Sequence, residues 1–185
     1  MSKKVLVPIA NGTEELEAVA IIDVLRRAGA EVTVASTGGM QIVASRGVKL
    51  TADRSIGECK DHIYDLIALP GGIPGAENLR DCEDLIYILK KQKKENRFYA
   101  AICASPSVIL QYHGLLENRR ATCYPSRINT LENKEDAHKR VVIDGTCITS
   151  QGPGSSLEFA LTLVRILFGK EKEKEVAHAM VMYAY

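Results

Sequence analysis

The sequence lacks the features that would direct a protein to a membrane or to nucleic acid. No stretch approaches the ~20 apolar residues that a membrane-spanning helix requires. There is also no surplus of one sign of charge, since 24 basic and 23 acidic residues give a formal net charge of +1 at pH 7. Such a chain has little electrostatic attraction for nucleic acid or an anionic membrane surface, so neither is expected as a partner.

Paired cysteines are lacking as well. No C-x-x-C motif is present, so neither a structural zinc site nor a redox dithiol is indicated, and we expect no metal. The apolar run Val5–Ala10 is too short and too poorly flanked for a secretory signal. We therefore expect a cytoplasmic protein with free thiols, each by default a small buried side chain. The five cysteines are Cys59, Cys82, Cys103, Cys123 and Cys147.

The sequence does contain a regular alternation of short apolar runs and longer amphipathic stretches, typical of a mostly parallel sheet covered by helices. The runs that predict strands are Lys4–Ala10, Glu31–Ser36, Asp65–Leu69, Phe98–Ile102 and the short Ala121–Tyr124. The predicted helices are one from an N-cap at Thr13 to Gly29, Glu83–Glu95, one opened by Ser105-Pro106, and Leu157–Phe168 with Ser155 and Glu158 as a capping box. A β excursion is predicted over Gln41–Thr51 and a hairpin over Val141–Ser150. Without linkers or repeats, 185 residues predict one α/β domain over residues 1–185.

Cys103 is distinguished from the other cysteines by its surroundings. It follows the predicted strand Phe98–Ile102, has small neighbours, and comes directly before a helix opened by Pro106. This order is typical of a nucleophile elbow, where small neighbours permit a tight turn that projects one side chain at the carboxyl edge of the sheet. The start of the following helix would lower the pKa of the thiol. The alternative is a cysteine packed in the core.

A glycine-rich segment, Pro70-Gly71-Gly72, follows the predicted strand Asp65–Leu69. Two glycines let the backbone turn closely and present free N–H groups, as an oxyanion hole requires. An ordinary glycine turn is the alternative, and taken alone it is the better interpretation. A phosphate-binding loop is disfavoured because the glycine spacing matches neither dinucleotide nor P-loop motifs.

Glu17 shares a helical stripe with three apolar residues, Ile21, Val24 and Ala28. That stripe is predicted to face the sheet, so the Glu17 carboxyl would be partly desolvated and its pKa raised. Such a group can exchange a proton with a neighbouring sulfur or oxyanion. A glutamate that only satisfies the helix dipole is the alternative. The four histidines have no evident reason to reach Cys103, so a cysteine–histidine dyad is not supported.

Together these motifs resemble the ThiJ/PfpI superfamily, and within it the branch of the parkinsonism-associated deglycase and bacterial ThiJ-like proteins. The resemblance covers essentially the whole chain. The segments that carry it are Asn11–Ala18, Ser45–Val48, Leu69–Gly72, Ala100–Ala104 and Thr149–Gly154.

The resemblance implies a flavodoxin-like, three-layer α/β/α sandwich, of the class I glutamine amidotransferase-like kind, that forms a homodimer. It also implies roles at one site. Cys103 corresponds to an easily oxidised nucleophile and Glu17 to a protonated glutamate that hydrogen-bonds it. The backbone N–H groups of Gly72 and Ala104 match oxyanion-hole positions, and Gly71 and Tyr124 belong with them to the expected oxyanion and substrate-binding residues.

Two positions depart from the pattern of related sequences. Tyr124 stands before Pro125, where many relatives have histidine. Because a phenol titrates near ~10, Tyr124 can donate a hydrogen bond but is a poor base at neutral pH. Ser105 stands where relatives often have glycine or alanine, a small change that we expect to be harmless. The peptidase branch has histidine directly after its cysteine, so Ala104 argues against proteolysis.

The resemblance therefore implies a cofactor-independent glyoxalase or protein deglycase. Cys103 would add to a 2-oxoaldehyde such as methylglyoxal, or to a glycated protein, and Glu17 would act as acid and base on the way to a 2-hydroxy acid. The alternative function is an oxidative-stress sensor or redox-regulated chaperone that acts through oxidation of Cys103.

Overall fold

The computed structural model of the protein describes residues 2–182. The strands are β1 (Lys4–Ile9), β2 (Glu31–Ser36), β3 (Gln41–Val43), β4 (Lys49–Thr51), β5 (Arg54–Ser55), β6 (Leu66–Leu69), β7 (Phe98–Ile102), β8 (Val141–Asp144) and β9 (Cys147–Ser150). The α-helices are α1 (Glu15–Arg27), α2 (Gly75–Arg80), α3 (Glu83–Lys94), α4 (Ser156–Phe168) and α5 (Lys170–Ala179). Shorter helical turns are Ile56–Cys59, the π-helical Pro106–Gln111, Pro125–Thr130 and Pro153–Ser155.

Seven strands form the central sheet in the order β5-β2-β1-β6-β7-β9-β8, and β3 and β4 form a separate hairpin. Every neighbouring pair in the central sheet is parallel except β8 with β9. The prediction of a mostly parallel α/β sheet is therefore confirmed. The predicted hairpin over Val141–Ser150 supplies the antiparallel edge, and the predicted excursion over Gln41–Thr51 is the β3–β4 hairpin.

The sheet reverses its direction of growth at β1. The chain leaves β1 for β2 on one side and later adds β6 and β7 on the other. Because such connections are right-handed, the reversal places helices on both faces of the sheet. Helix α1 packs with α4, and α3 packs on β7 with α2 beside it. The carboxyl ends of β1, β6 and β7 meet where the order reverses, which is where ligands bind in open α/β sheets.

The core is densest along the strands that reach this edge. In β6 every residue is buried, as is Tyr99–Ile102 in β7. The predicted inward stripe of α1 is also buried, with Ile21 and Val24 fully covered. Burial of strands on both faces explains why they read as continuous apolar runs in the sequence.

One predicted strand is wrong. Ala121–Tyr124 is irregular, and its backbone bonds to neighbours outside any sheet ladder. The Thr122 N–H donates to the Thr149 hydroxyl oxygen at 2.9 Å, and the Tyr124 N–H donates to the Cys103 carbonyl at 2.7 Å. Ala121–Cys123 thus stays buried without pairing as a strand, and the half-exposed Tyr124 follows it beside Cys103.

The predicted cap at Thr13 is wrong as well. The Thr13 hydroxyl oxygen accepts from the Ala10 N–H at 2.9 Å and closes the turn before the helix. The cap of α1 is Glu14, whose carboxylate accepts from the Leu16 N–H at 3.3 Å. Threonine and glutamate can each accept at a helix start, so the sequence does not determine which of them does.

The predicted capping box of α4 does not form. Ser155 stands at the N-cap without a side-chain cap bond, because its hydroxyl lies 2.8 Å from the Ser150 hydroxyl. Glu158 pairs instead with Arg140 at 2.6 Å. Ser155 and Glu158 thus bond to residues that precede α4, and not to each other's backbone.

Candidate functional site

Cys103 lies at a strained turn at the end of β7. Its φ is +64°, a left-handed conformation that a residue with a side chain adopts only when its surroundings hold it. Its N–H donates to the Ser150 carbonyl at 3.0 Å, and its own carbonyl accepts from the Tyr124 N–H at 2.7 Å. The thiol is 9% exposed. The predicted elbow therefore exists, and hydrogen bonds to Ser150 and Tyr124 hold it in place.

Ser105 contributes more than the harmless substitution expected from the sequence. Its hydroxyl is fully buried and donates to the Pro70 carbonyl at 2.5 Å. This bond ties the elbow to the glycine-rich loop after β6. The only sequence signal was a small polar residue beside the nucleophile, which does not by itself indicate a partner.

Gly71 lets the glycine-rich loop approach the cysteine and the glutamate closely. A Cβ at this position would lie 2.6 Å from the Cys103 Cβ and 2.8 Å from Glu17 Oε2. The Gly71 N–H donates to Glu17 Oε2 at 2.7 Å. Gly71 was grouped with the oxyanion and substrate-binding residues, but its amide is already occupied in holding the carboxyl in place.

Two other amides interact with the sulfur itself. The N–H groups of Gly72 and Ala104 lie close enough to the Cys103 sulfur to lower the pKa of the thiol. Gly72 has a φ of +91°, and a side chain there would collide with the backbone of Gly12 and Glu14. Glycine is therefore required for this amide to point into the site. The two positions that the resemblance marks as an oxyanion hole converge on one point.

Glu17 is fully buried at the start of α1. Its Oε1 has no conventional hydrogen-bond partner among the described residues, while the carboxyl contacts the Cys103 thiol. Burial raises the pKa of Glu17 to about 7, helped by the charge on Glu14 and opposed by the Gly71 amide and the thiol. An ionised carboxylate would leave a buried oxygen unsatisfied, so the protonated form is favoured.

The pKa of Cys103 is the point at which a prediction fails. The start of the following helix was expected to lower it, but burial and the charge of an ionised Glu17 raise it to about 12, against the Gly72 and Ala104 amides. The helix after Cys103 is a single short turn, Pro106–Gln111, so its dipole is weak. Repulsion from Glu17 disappears when that carboxyl is protonated. The buried pair therefore accommodates one negative charge, and the Gly72 and Ala104 amides stabilise that charge when it lies on the sulfur.

A cleft of about 350 Å³ opens in front of the thiol. Tyr124, 45% exposed, lies on its rim, where it can donate a hydrogen bond. No histidine belongs to its lining within residues 2–182; His113, for example, contacts the Arg80 carbonyl elsewhere. Three charged residues to which the sequence analysis assigned no role in the site also line it. They are Glu14, Arg46 and Arg127.

The sequence led us to expect neither a metal site nor a membrane-spanning helix. Within residues 2–182, no group of three or more histidine, cysteine or acidic side chains is placed to hold a metal ion. Over the same range, no helix is long and apolar enough to cross a membrane. All five cysteines are free thiols.

The sequence matches the DJ-1/PfpI family over residues 3–166. The chain belongs to this family. Protein DJ-1 homolog B of Arabidopsis thaliana is 49% identical over 97% of the chain, although the chain spans only 41% of that protein. The glutathione-independent glyoxalase DJR-1.2 of Caenorhabditis elegans is 36% identical over 86% of this chain and 85% of its own length.

A solved DJ-1/PfpI structure is similar over the whole chain. Oxidised DJ-1 of Toxoplasma gondii superposes with a TM-score of 0.96 and 47% sequence identity, covering 100% of both chains. The family resemblance expected from the motifs is therefore confirmed, and the three-layer fold with it. The roles of the site residues rest on the geometry described above.

The raised pKa of Glu17 predicts a pH-dependent stability. The carboxyl ionises at 4.5 without the fold and at about 7 within it. Glu17 therefore contributes to the free energy of unfolding. Its contribution is fully present below pH 4.5 and is lost as the pH rises through 7. From about pH 5 to pH 8.5 we expect the free energy of unfolding of the wild-type protein to fall by about 2–3 kcal/mol relative to Glu17→Gln. Urea unfolding at both pH values measures this, and parallel losses in the two proteins would contradict the raised pKa.

Proposed function

We propose that the protein is a glutathione-independent glyoxalase that converts 2-oxoaldehydes to 2-hydroxy acids. The observation that carries the proposal is the close approach of a buried Glu17 carboxyl to Cys103, with two backbone amides near the same sulfur. A nucleophile, a proton carrier and an oxyanion site are the three groups that this isomerisation needs.

The chemistry begins with attack of the Cys103 sulfur on the aldehyde carbon, forming a C–S bond. Glu17 takes the thiol proton and passes it to the carbonyl oxygen, which becomes the hydroxyl of a hemithioacetal near the Gly72 and Ala104 amides and leaves Glu17 ionised. Glu17 then removes the proton from that carbon, and the hydroxyl proton moves to the neighbouring oxygen of the resulting enediolate. Return of the carbon-bound proton from Glu17 to the neighbouring carbon gives a thioester of a 2-hydroxy acid and leaves Glu17 ionised again. Water hydrolyses the thioester and restores the thiol.

The pKa of Glu17 suits both halves of this cycle. At about 7, the carboxyl is close to the pH at which a proton carrier serves equally as acid and base. Its Oε2 is fixed by the Gly71 amide, so its orientation does not change between steps. The name of the Caenorhabditis elegans relative, a glutathione-independent glyoxalase, supports the same reaction class. A glycated protein is a larger substrate to which the same chemistry could apply.

We expect the purified protein to consume methylglyoxal without glutathione and to release lactate. Cys103→Ala and Glu17→Gln should each reduce turnover at least about a hundredfold, since one removes the nucleophile and the other the proton carrier. Enzymatic assay of lactate measures the product.

Cys82→Ala is the matched control. Cys82 is a half-buried thiol at the N-cap of α3 that does not line the cleft, so its loss should leave turnover unchanged. Turnover that persists in Cys103→Ala would rule out the proposed mechanism.

A second candidate function is redox sensing, including redox-regulated chaperone activity, and one geometric observation favours it. The groups that would bind an oxyanion also suit a sulfinate on Cys103, because two amides and a protonated Glu17 can donate to its oxygens. The similar Toxoplasma gondii structure is named as oxidised. In this function the event is oxidation of the thiolate by two equivalents of peroxide, which release two molecules of water.

Mild peroxide should then add two oxygen atoms to Cys103 and none to the four other cysteines, as determined by intact mass and peptide mapping. Glu17→Gln should lower the yield of the two-oxygen product, since it removes the carboxyl that would hold it. Oxidation distributed over several cysteines, or unaffected by Glu17→Gln, would exclude a dedicated sensor.

A homodimer is also part of this proposal. Leu16 and Val19 on α1 and Val43 in the β3–β4 hairpin are each about half exposed, between 48% and 53%. Neighbouring exposed apolar side chains of this kind suit a contact with a second copy.

A further inference from the structure

Two guanidinium groups line the Cys103 cleft without an acidic partner. Arg46 comes from the β3–β4 hairpin and Arg127 from the helical turn Pro125–Thr130. Over residues 2–182 neither forms an ion pair, whereas most other arginines are paired with a carboxylate. Neither cation is neutralised by an ion pair in the described residues, so both can interact with an anion in the cleft.

The acidic side chain in the lining is already engaged. Glu14 accepts from the Ser45 hydroxyl through Oε2 at 2.6 Å and from the Leu16 N–H through Oε1 at 3.3 Å. Both oxygens thus have partners in α1 and the hairpin. The Glu14 carboxylate is thus bonded to neighbours and forms no ion pair with Arg46 or Arg127 among residues 2–182.

Backbone contacts hold both arginines in place. The Arg46 N–H donates to Glu15 Oε1 at 2.8 Å, and the Arg127 N–H donates to the Tyr124 carbonyl at 2.8 Å. Tyr124 in turn bonds the Cys103 carbonyl through its own N–H. Arg127 is therefore connected to the nucleophile by two backbone hydrogen bonds, and its side chain needs to order only its own rotamers to meet a ligand.

We propose that Arg127, with Arg46, makes the cleft selective for carbonyl compounds that carry an anionic group, a carboxylate or a phosphate, close to the carbon that Cys103 attacks. The proposal deepens the glyoxalase function and rests on it for the identity of the substrate. A guanidinium offers two parallel N–H groups to such an anion. The anion would lie at the arginines while the carbonyl oxygen lies at the Gly72 and Ala104 amides.

Alkylation of Cys103 tests the selectivity without any turnover. Iodoacetate and iodoacetamide react alike, the sulfur forming a bond to carbon as iodide leaves, but only iodoacetate is anionic. The ratio of their rates at Cys103 should exceed the ratio for a small neutral thiol by about tenfold, as a charge-assisted contact at a partly exposed site would give. Arg127→Ala should lower the ratio about five- to tenfold, and Arg127→Lys should retain part of it.

Lys90→Ala is the control for loss of one positive charge, because Lys90 is exposed on α3 and lies outside the cleft. It should leave the rate ratio unchanged. An iodoacetate preference no greater than that of the free thiol, or one that Arg127→Ala does not alter, would overturn the proposal. So would an equal loss in Lys90→Ala, which would show that only net charge matters.

Substrate kinetics separate this inference from the proposed function. The wild-type protein should have a lower KM for 4,5-dioxopentanoate than for methylglyoxal, and Arg127→Ala should remove the difference. If neither aldehyde is turned over but the iodoacetate preference holds, the glyoxalase function fails and the anion site stands. If both are turned over with equal KM and no alkylation preference, the function stands and the anion site fails.

Protection of Cys103 from alkylation by added anions shows which anionic group the cleft prefers. Inorganic phosphate and acetate at equal concentration should each slow alkylation of Cys103 by iodoacetamide, and the stronger effect identifies the preferred group. Absence of protection by both anions would contradict the site.

Discussion

The contact between the Glu17 carboxyl and the Cys103 thiol is the constraint on which the rest of the site depends. Both groups are buried, so each resists ionisation. Two negative charges on adjacent buried groups are strongly unfavourable. The pair consequently shares a proton. Two backbone amides at the sulfur and an unpartnered oxygen on Glu17 determine where that proton is most stable. In the proposed function, nucleophilic addition and proton transfer both depend on its position.

The fold supplies this contact by bringing three strand ends to one place. Glu17 follows β1, the Gly71-Gly72 loop follows β6 and Cys103 follows β7, and these strands are neighbours where the sheet order reverses. The close approach needs glycine at position 71, where any side chain would collide with both reacting groups. Ser105 fastens two of the three segments through the Pro70 carbonyl. The geometry of the candidate site is thus maintained by buried polar bonds at the edge of an apolar core.

Much of the architecture could be predicted because burial leaves a local pattern. The strand Phe98–Ile102 was predicted with its observed bounds, since a strand covered on both faces is a continuous apolar run. Ala121–Tyr124 has the same pattern but does not pair, because its N–H groups bond to Thr149 and Cys103. Local composition cannot distinguish the two cases.

The candidate site could be located from sequence, but its electrostatics could not. Cys103 and Glu17 were identified by their positions after strands and on a helix face. The predicted direction of the shift in the Cys103 pKa was wrong. The shift depends on burial and on Glu17, which lies 86 positions earlier in the chain. Arg127 lies in a segment with no motif, and only the folded chain places it in the cleft. Properties that arise between distant residues thus require the structure.

The protonation state of Glu17 tests the central claim most directly. Glutamate labelled with ¹³C at the side-chain carboxyl carbon gives one signal that disappears in Glu17→Gln and can be followed by NMR as the pH is varied. Because burial raises the pKa of Glu17, we expect this signal to titrate with a midpoint of about 7. A midpoint near 4.5, the value of an unperturbed carboxyl, would show that Glu17 is ionised at neutral pH and holds no proton for Cys103.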